Sequence, residues 1–275
     1  MPELPEVETI VRQLHPVVVG RAIRRSRLVH EDVLQGVTRR QLLRGLTGAR
    51  IVSVDRRAKH AVILLDRGTR LVIQPGMTGS LLACKGSPDP EWKRYAVLQL
   101  NLDRNHTLIF KDVRRFGAVL LLDADAWERY DGRLGPEPLG SGFTARQLAE
   151  RVGASAQAIK KALMDQQRLA GVGNIYANEA LHAARLDPSK PANRLSRDAW
   201  GRLHRHLRRI LTSAVVAQGT TFRDYRTGTG ARGRFQFALK VYGREGEPCL
   251  TCGTALAGTH SIDARITVFC HHCQR

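Results

Sequence analysis

Apolar residues recur at helical spacing from the start of the chain: Val7, Ile10, Val11, Leu14, Val17 and Val18 share one face, and the run stops at Gly20. Such a stripe, closed by glycine, predicts an amphipathic helix that begins almost at the first residue. From about residue 21 to 122 the pattern changes to short β-rich runs at 49–54, 61–65, 71–73, 95–100, 107–110 and 118–122. Turn clusters such as Asp66-Arg67-Gly68 and Ser87-Pro88-Asp89-Pro90 separate them. Several short strands at this spacing predict a β-sandwich or barrel, closed on one side by the first helix. Residues 132–142, with four glycines and two prolines, read as a linker. Beyond it, 144–152, 155–166, 172–185 and 196–217 carry apolar residues three to four apart and predict helices. Gly171-Val172-Gly173-Asn174 marks a tight turn feeding the third of these. The glycine- and arginine-rich stretch 227–234 is either a plain loop or one that orders over an anion, and the tail from Phe235 looks β again. The fold class is therefore α+β with several domains: an N-terminal sandwich with flanking helices at 1–133, a linker at 134–143, a helical domain at 144–234 and a β-ribbon tail at 235–275.

Charge narrows the partner. Lys+Arg number 44 against 25 Asp+Glu, a net charge of +19 in 275 residues, and only eight of the basic residues are lysine. Guanidinium forks match phosphate bidentately, so the bias favours nucleic acid over a merely solvated basic surface. No apolar run approaches a membrane span, and the first residues are acidic rather than basic. Five cysteines, four of them close to the end of the tail, are too few and too clustered for a disulfide scaffold. A cytoplasmic, nucleoid-associated protein that works as a monomer is the expectation.

Two places carry chemistry. Cys249-x-x-Cys252 and Cys270-x-x-Cys273 stand seventeen residues apart, the spacing of a four-cysteine zinc ribbon. A redox dithiol needs one such pair, not two. Four thiolates leave no open coordination position, so one structural Zn2+ is expected and no catalysis by it. At the other end the chain opens Met1-Pro2-Glu3-Leu4-Pro5-Glu6. With Met1 removed, Pro2 presents a secondary amine whose adduct with a sugar carbon is an iminium that keeps its charge, an electron sink for covalent catalysis. Read alone, Pro2 serves equally well as a helix starter.

Six motifs and the cysteine tail occur in one order: the Pro2–Thr9 opening, Arg57-Ala58-Lys59, Gly76-Met77-Thr78-Gly79, Asp112-Val113-Arg114-Arg115-Phe116-Gly117, Gly171-Val172-Gly173-Asn174-Ile175-Tyr176-Ala177-Asn178-Glu179, and Val241-Tyr242-Gly243-Arg244 leading into the cysteines. Together they resemble the bacterial formamidopyrimidine-DNA glycosylases, DNA glycosylase/AP lyases that remove 8-oxoguanine, from the first residue to the last few. The resemblance implies a β-sandwich joined to a helix–two-turns–helix domain and a zinc finger, with damaged or abasic double-stranded DNA bound across the cleft. It implies Pro2 as the nucleophile at C1′, Glu3 as the acid/base at the opening sugar ring, Glu6 in the same site, and Lys59 as a DNA contact that assists catalysis. Asn174 and Arg265 are implied as binders of the phosphates flanking the lesion, with Arg265 also the proton donor in a late step. Lys160 and Tyr176 are implied near the DNA. Met77, Arg114 and Phe116 are implied to fill the void left when the damaged nucleotide is flipped out. In isolation Met77 and Phe116 read as core residues, and Asn174 as a turn or cap.

Some positions depart from the family pattern. Gln74-Pro75 precede Gly76 where His-Leu is more frequent, Val113 stands where proline is common, and His60 follows Lys59 where tyrosine is usual. None removes a group with an implied role. Two other readings stay open: an endonuclease VIII-like glycosylase for oxidised pyrimidines, and a zinc-ribbon DNA-binding protein without catalysis.

Overall fold

The computed structural model describes residues 2–275, and the chain divides into two compact units. The first comprises the residues up to Gly132 together with Ala217–Gln236, and the second comprises Arg133–Val216 and Phe237–Arg275.

In the first unit the predicted helix, α1 (Leu4–Val18), buries Leu4, Val7, Ile10, Val11, Leu14 and Val18. After it come β1 (Ile23–Leu28), α2 (Arg39–Leu46), β2 (Ile51–Arg57), β3 (His60–Leu65), β4 (Arg70–Gln74), β5 (Gly79–Lys85), α3 (Pro90–Arg94), β6 (Ala96–Leu102), β7 (His106–Asp112), β8 (Ala118–Leu122) and α4 (Ala124–Asp131). The strands form two four-stranded antiparallel sheets of order β1-β6-β7-β5 and β2-β3-β4-β8. This is the sandwich that the strand spacing predicts. Ile23, Leu81, Leu98, Leu100 and Phe110 from one sheet meet Ile51, Ala61, Ile63, Leu71 and Val119 from the other in a single core, which α1 joins with its apolar stripe. β3 is apolar from Ala61 to Leu65 because both its faces are covered. Ala61 and Ile63 enter the main core, while Val62 packs with Val72, Leu120, Trp127 and Tyr130 beneath α4.

Two of the elements that the periodicity does not reveal, β1 and α2, have a physical reason for it. β1 carries Arg24, Arg25 and Arg27 with burial only at its ends, because it is an edge strand with arginines turned to solvent. α2 buries only Leu42 and Leu46, too short a stripe to stand out.

The second unit holds α5 (Ala145–Val152), α6 (Ile159–Met164), α7 (Asn174–Ala183) and α8 (Arg197–Val216), followed by the hairpin β9 (Ala257–Thr259) and β10 (Thr267–Phe269). The longest helix, α8, turns Trp200, Leu203, Leu207, Leu211 and Ala214 inward and packs on α5 and α7. The expected linker is bound rather than free. The Gly135 amide donates to the Gln166 carbonyl (2.8 Å), and Arg208 Nη1 donates to the carbonyls of Pro138 and Gly140 (2.8 Å each). Glycine suits position 135 because a Cβ there would lie 2.5 Å from the Arg168 carbonyl carbon. Its glycines and prolines thus serve close packing on the helices, which composition alone reads as flexibility.

The glycine-rich stretch 227–234, expected with the helical domain, belongs to the sandwich unit. The Ala83 amide donates to the Gly228 carbonyl (3.1 Å), and the Thr229 amide donates to Gln13 Oε1 (3.1 Å). A Cβ on Gly228 would sit 2.9 Å from the Ile10 carbonyl oxygen, and one on Gly233 would sit 2.3 Å from that of Gly219. Glycine is required here for close approach to neighbouring backbone.

Candidate nucleic-acid interface and active site

Pro2 is buried just ahead of α1, and Glu3 and Glu6 are each only 1% exposed. The Glu6 carboxylate accepts the Glu3 amide at one oxygen (2.8 Å) and the Thr220 amide at the other (2.7 Å). Tyr225 completes the clasp by donating its hydroxyl to the Glu6 carbonyl (3.1 Å). Burial, with the Glu6 charge beside it, pushes the Tyr225 phenol above its usual range and keeps it neutral. Glu6 therefore ties the start of α1, next to Pro2 and Glu3, to the 218–225 segment. The positive φ of Gly219 allows the approach, since a Cβ there would come within 2.9 Å of the Glu6 side chain.

Lys59 sits at the tip of the two-residue β2–β3 hairpin, after Ala58 with φ of +52° and enclosed by the Arg57–His60 pair. It is only 8% exposed, which does not suit a solvated strand end. His60 anchors the hairpin: its Nδ1 lies 3.1 Å from the Arg57 carbonyl, and Tyr130 Oη lies 3.2 Å from its Nε2. Burial lowers its pKa to about 4, and the charges of Lys59 and Arg57 act in the same direction. The folded state thus releases a proton that the unfolded chain binds below pH 6.5. The His60 contribution to the stability of the first unit is complete above pH 6.5 and is lost as pH drops toward 4, by up to about 3 kcal/mol. His60→Tyr, the usual family residue, should flatten that part of a stability-versus-pH curve measured by urea unfolding. An unchanged slope would show that His60 does not carry it.

Met77, Arg114 and Phe116 come from two separate loops and meet at the surface. Arg114 Nη2 lies 3.0 Å from Met77 Sδ, and its guanidinium sits 5.2 Å over the Phe116 ring. Met77 is 45% exposed and Phe116 63%, so neither belongs to the core. Buried Asp112 fastens both loops, accepting the Thr78 hydroxyl at one oxygen and the Gly117 amide at the other (2.8 Å). Thr78 in turn accepts the Arg114 amide (3.1 Å). Gly76 has positive φ, and a Cβ there would lie 2.6 Å from the 116–117 peptide, leaving no room for a side chain. Asp112 and Thr78 stand in two of the motifs without an implied role, because the sequence does not show that they meet across 34 residues. Asp112→Ala leaves a buried hydroxyl and amide without their acceptor and should cost about 2–4 kcal/mol in urea unfolding. Loss of less than about 0.5 kcal/mol would show that Asp112 does not join the loops.

In the second unit, Asn174 opens α7 and its Nδ2 donates to the Ile266 carbonyl (3.1 Å). Asn178, one turn on, accepts the Val268 amide at Oδ1 (2.8 Å). These contacts bring the half-exposed Arg265 beside the start of α7, where the positive end of the helix dipole favours anions. Lys160, expected at the DNA, is fully buried. Its Nζ lies 3.1 Å from Asp263 Oδ2 and donates to the Arg265 and Ile266 carbonyls (3.3 and 3.2 Å) and to Thr267 Oγ1 (2.7 Å). An ammonium so enclosed reaches no phosphate, and it holds the Arg265 loop instead. Tyr176 is also fully buried, on a helix packed between α6 and α8, and presents no surface to a ligand. Glu179 is a further residue without an expected role. Its carboxylate takes the amides of Lys240, Val241 and Tyr242 (2.9–3.1 Å) and fixes the chain entering the tail, while burial raises its pKa.

The four cysteines converge. The sulfurs of Cys249, Cys252, Cys270 and Cys273 all lie within 4.8 Å of one another. A tetrahedral ion with bonds of about 2.3 Å needs sulfurs about 3.8 Å apart, so this donor set fits a metal ion. Knuckle turns aim each pair: the Thr251 amide points at Cys249 Sγ (3.5 Å), and the Cys270 amide donates to Gln274 Oε1 (2.9 Å). No helix among the described residues is long and apolar enough to cross a membrane.

Comparison with known proteins agrees with this architecture. A family model described as the formamidopyrimidine-DNA glycosylase N-terminal domain matches residues 1–119, and one described as the formamidopyrimidine-DNA glycosylase H2TH domain matches residues 134–226. The chain is 43% identical over 291 residues to a formamidopyrimidine-DNA glycosylase of Thermomicrobium roseum, covering 100% of this chain and 99% of that one. It is 41% identical to that of Stutzerimonas stutzeri over the whole of both chains. Among solved structures, the MutM (Fpg) protein from Thermus thermophilus matches with a TM-score of 0.87 at 39% identity, covering 99% and 98% of the two chains. Wild-type Lactococcus lactis Fpg, in complex with DNA containing N7-benzyl-Fapy-dG, matches with a TM-score of 0.90 at 31% identity over all of both. Fold and matches together define the class, a DNA glycosylase with an H2TH module. The chain belongs to the formamidopyrimidine-DNA glycosylase family.

Proposed function

We propose that this protein excises oxidised purines, 8-oxoguanine and formamidopyrimidines, from duplex DNA and then cleaves the strand, as a glycosylase/AP lyase of base excision repair. The observation that carries the reading is the exposed Met77–Arg114–Phe116 cluster on its buried Asp112 anchor. A nucleotide must leave the stack before its glycosidic bond can be attacked, and a flexible thioether, a planar cation and an aromatic ring can take its place. Arg265 and the start of α7 take the phosphates beside the lesion, with Lys160 acting through the Arg265 loop.

Pro2, freed of Met1, is the nucleophile. Its nitrogen bonds to C1′ as the bond to the base breaks, while Glu3 protonates the ring oxygen and opens the sugar. The iminium acidifies the adjacent carbon, so β-elimination expels the 3′ phosphate. A second, δ-elimination expels the 5′ phosphate, with Arg265 giving the late proton. Lys59 contacts the DNA near the reacting sugar. The position of Pro2 before the first turn of α1 disfavours a protonated amine and keeps the nucleophile available. One Zn2+ on the four cysteines serves structure alone. The protein acts as a monomer on nucleoid DNA in the cytoplasm.

A panel of duplexes carrying 8-oxoguanine, formamidopyrimidine or thymine glycol tests the substrate class. Both purine lesions should be cut at least about tenfold faster than thymine glycol, a difference of about 1.4 kcal/mol in barrier. A preference for thymine glycol would place the chain with the pyrimidine-specific branch instead.

A further inference from the structure

The second unit carries a cationic feature that the proposed chemistry does not use. A groove of about 860 Å³ is lined by residues of α5 and α8. Arg146, Arg197, Arg202 and Arg205 line it against a single acid, Asp198, and the half-exposed Ala145 and Ala149 supply the apolar part, over the buried Trp200. Arg146 pairs with Glu150 (2.7 Å) and Arg202 donates to the Ala184 carbonyl (3.3 Å). Arg197 and Arg205 have no ion-pair partner among the described residues.

Its place separates it from the phosphate site. Asn174 and the Arg265 loop stand at the first turn of α7, whereas Arg202 bonds to the residue just past its last turn. A helix of this length sets the two about 15 Å apart.

We propose that this groove docks an acidic peptide segment of a partner protein, seating an apolar side chain against Ala145 and Ala149 and carboxylates on Arg197 and Arg205. A concave site with an apolar floor accepts a protruding side chain, which a DNA backbone does not offer. Arginine is among the residues that dominate the energetics of protein interfaces, and paired guanidinium–carboxylate contacts supply direction.

The test uses the full-length, zinc-loaded protein and a fluorescent peptide of eight Asp and Glu residues flanking one Phe, followed by anisotropy. Binding should weaken at least tenfold in the double variant Arg197→Glu, Arg205→Glu. It should weaken similarly in Ala149→Trp, which fills the groove without changing charge. Replacing the Phe in the peptide by Ser should weaken binding at least fivefold. Excision of 8-oxoguanine should stay within twofold of wild type in both variants, with thermal unfolding as the check on folding. Unchanged peptide affinity in Ala149→Trp would overturn the proposal, since the peptide would then lie on general basic surface. A parallel loss of affinity for undamaged duplex DNA would overturn it too, by making the groove part of the DNA surface.

Discussion

Protein that keeps residues ahead of Pro2, for example an uncleaved N-terminal extension, is expected to bind an 8-oxoguanine duplex and yet form no covalent adduct with it under borohydride. The reason is chemical. Acylation turns the Pro2 amine into an amide, which cannot attack C1′ or form an iminium for borohydride to reduce. Trapping should fall about a hundredfold or more, the scale on which removal of a nucleophile acts. Pro2→Gly keeps an amine but loses the ring, and should trap about tenfold less or worse. The comparison needs duplex affinity measured in parallel by gel shift. The buried Glu6 clasp gives the extended protein a further reason to react poorly, because Pro2 and the Glu3 amide are packed where α1 begins. An extended protein that traps as well as one starting at Pro2 would remove Pro2 from its proposed role and leave a side-chain amine, Lys59 first, as the nucleophile.

Removing the metal should have a comparably large effect on DNA binding and little on the sandwich. The buried core of the tail consists of Val241, Cys249, Leu256, Val268 and Cys270, so two of its five members are thiols. Three aliphatic side chains cannot offset the entropy of ordering the ribbon. A four-thiolate zinc site contributes about 10–16 kcal/mol in small ribbons and supplies what the core lacks. Cys270→Ser or a strong chelator should lower affinity for lesion duplex at least about a hundredfold, or about 2.7 kcal/mol. The Lys160, Asn174 and Asn178 contacts all end on residues 263–268, so a disordered ribbon releases Arg265 from its place beside α7. The first unit has its own core and should keep its thermal transition. Full duplex affinity in metal-free protein would refute the structural role of the ion.

The resemblance and the structure agree where function depends on local chemistry. The cysteine spacing, the Pro2 opening and the Gly-Val-Gly-Asn turn are readable because ligand pairs and turns are short-range. The same holds for α1, for the core strands and for α8, whose buried stripes are long enough to stand above the charge around them. β1 and α2 escape such reading because arginines interrupt their short apolar patterns.

Roles assigned to Lys160 and Tyr176 show the other limit. Sequence marks both as residues of a DNA-binding motif, but only packing tells whether a side chain meets solvent or is enclosed. Lys160 is enclosed by a loop more than a hundred residues further along, and Tyr176 by its neighbouring helices. Met77 and Phe116 go the other way: each reads as core in isolation, and the fold leaves both exposed with Arg114 between them. The sequence by itself determined the kind of chemistry, through an N-terminal proline, four paired cysteines and a large arginine excess. Only the tertiary structure decided which polar residues reach outward and which brace the site from within. Burial depends on partners distant in the chain, as with Asp112 and Thr78, Glu6 and Thr220, or Lys160 and Asp263, and no local pattern encodes those meetings.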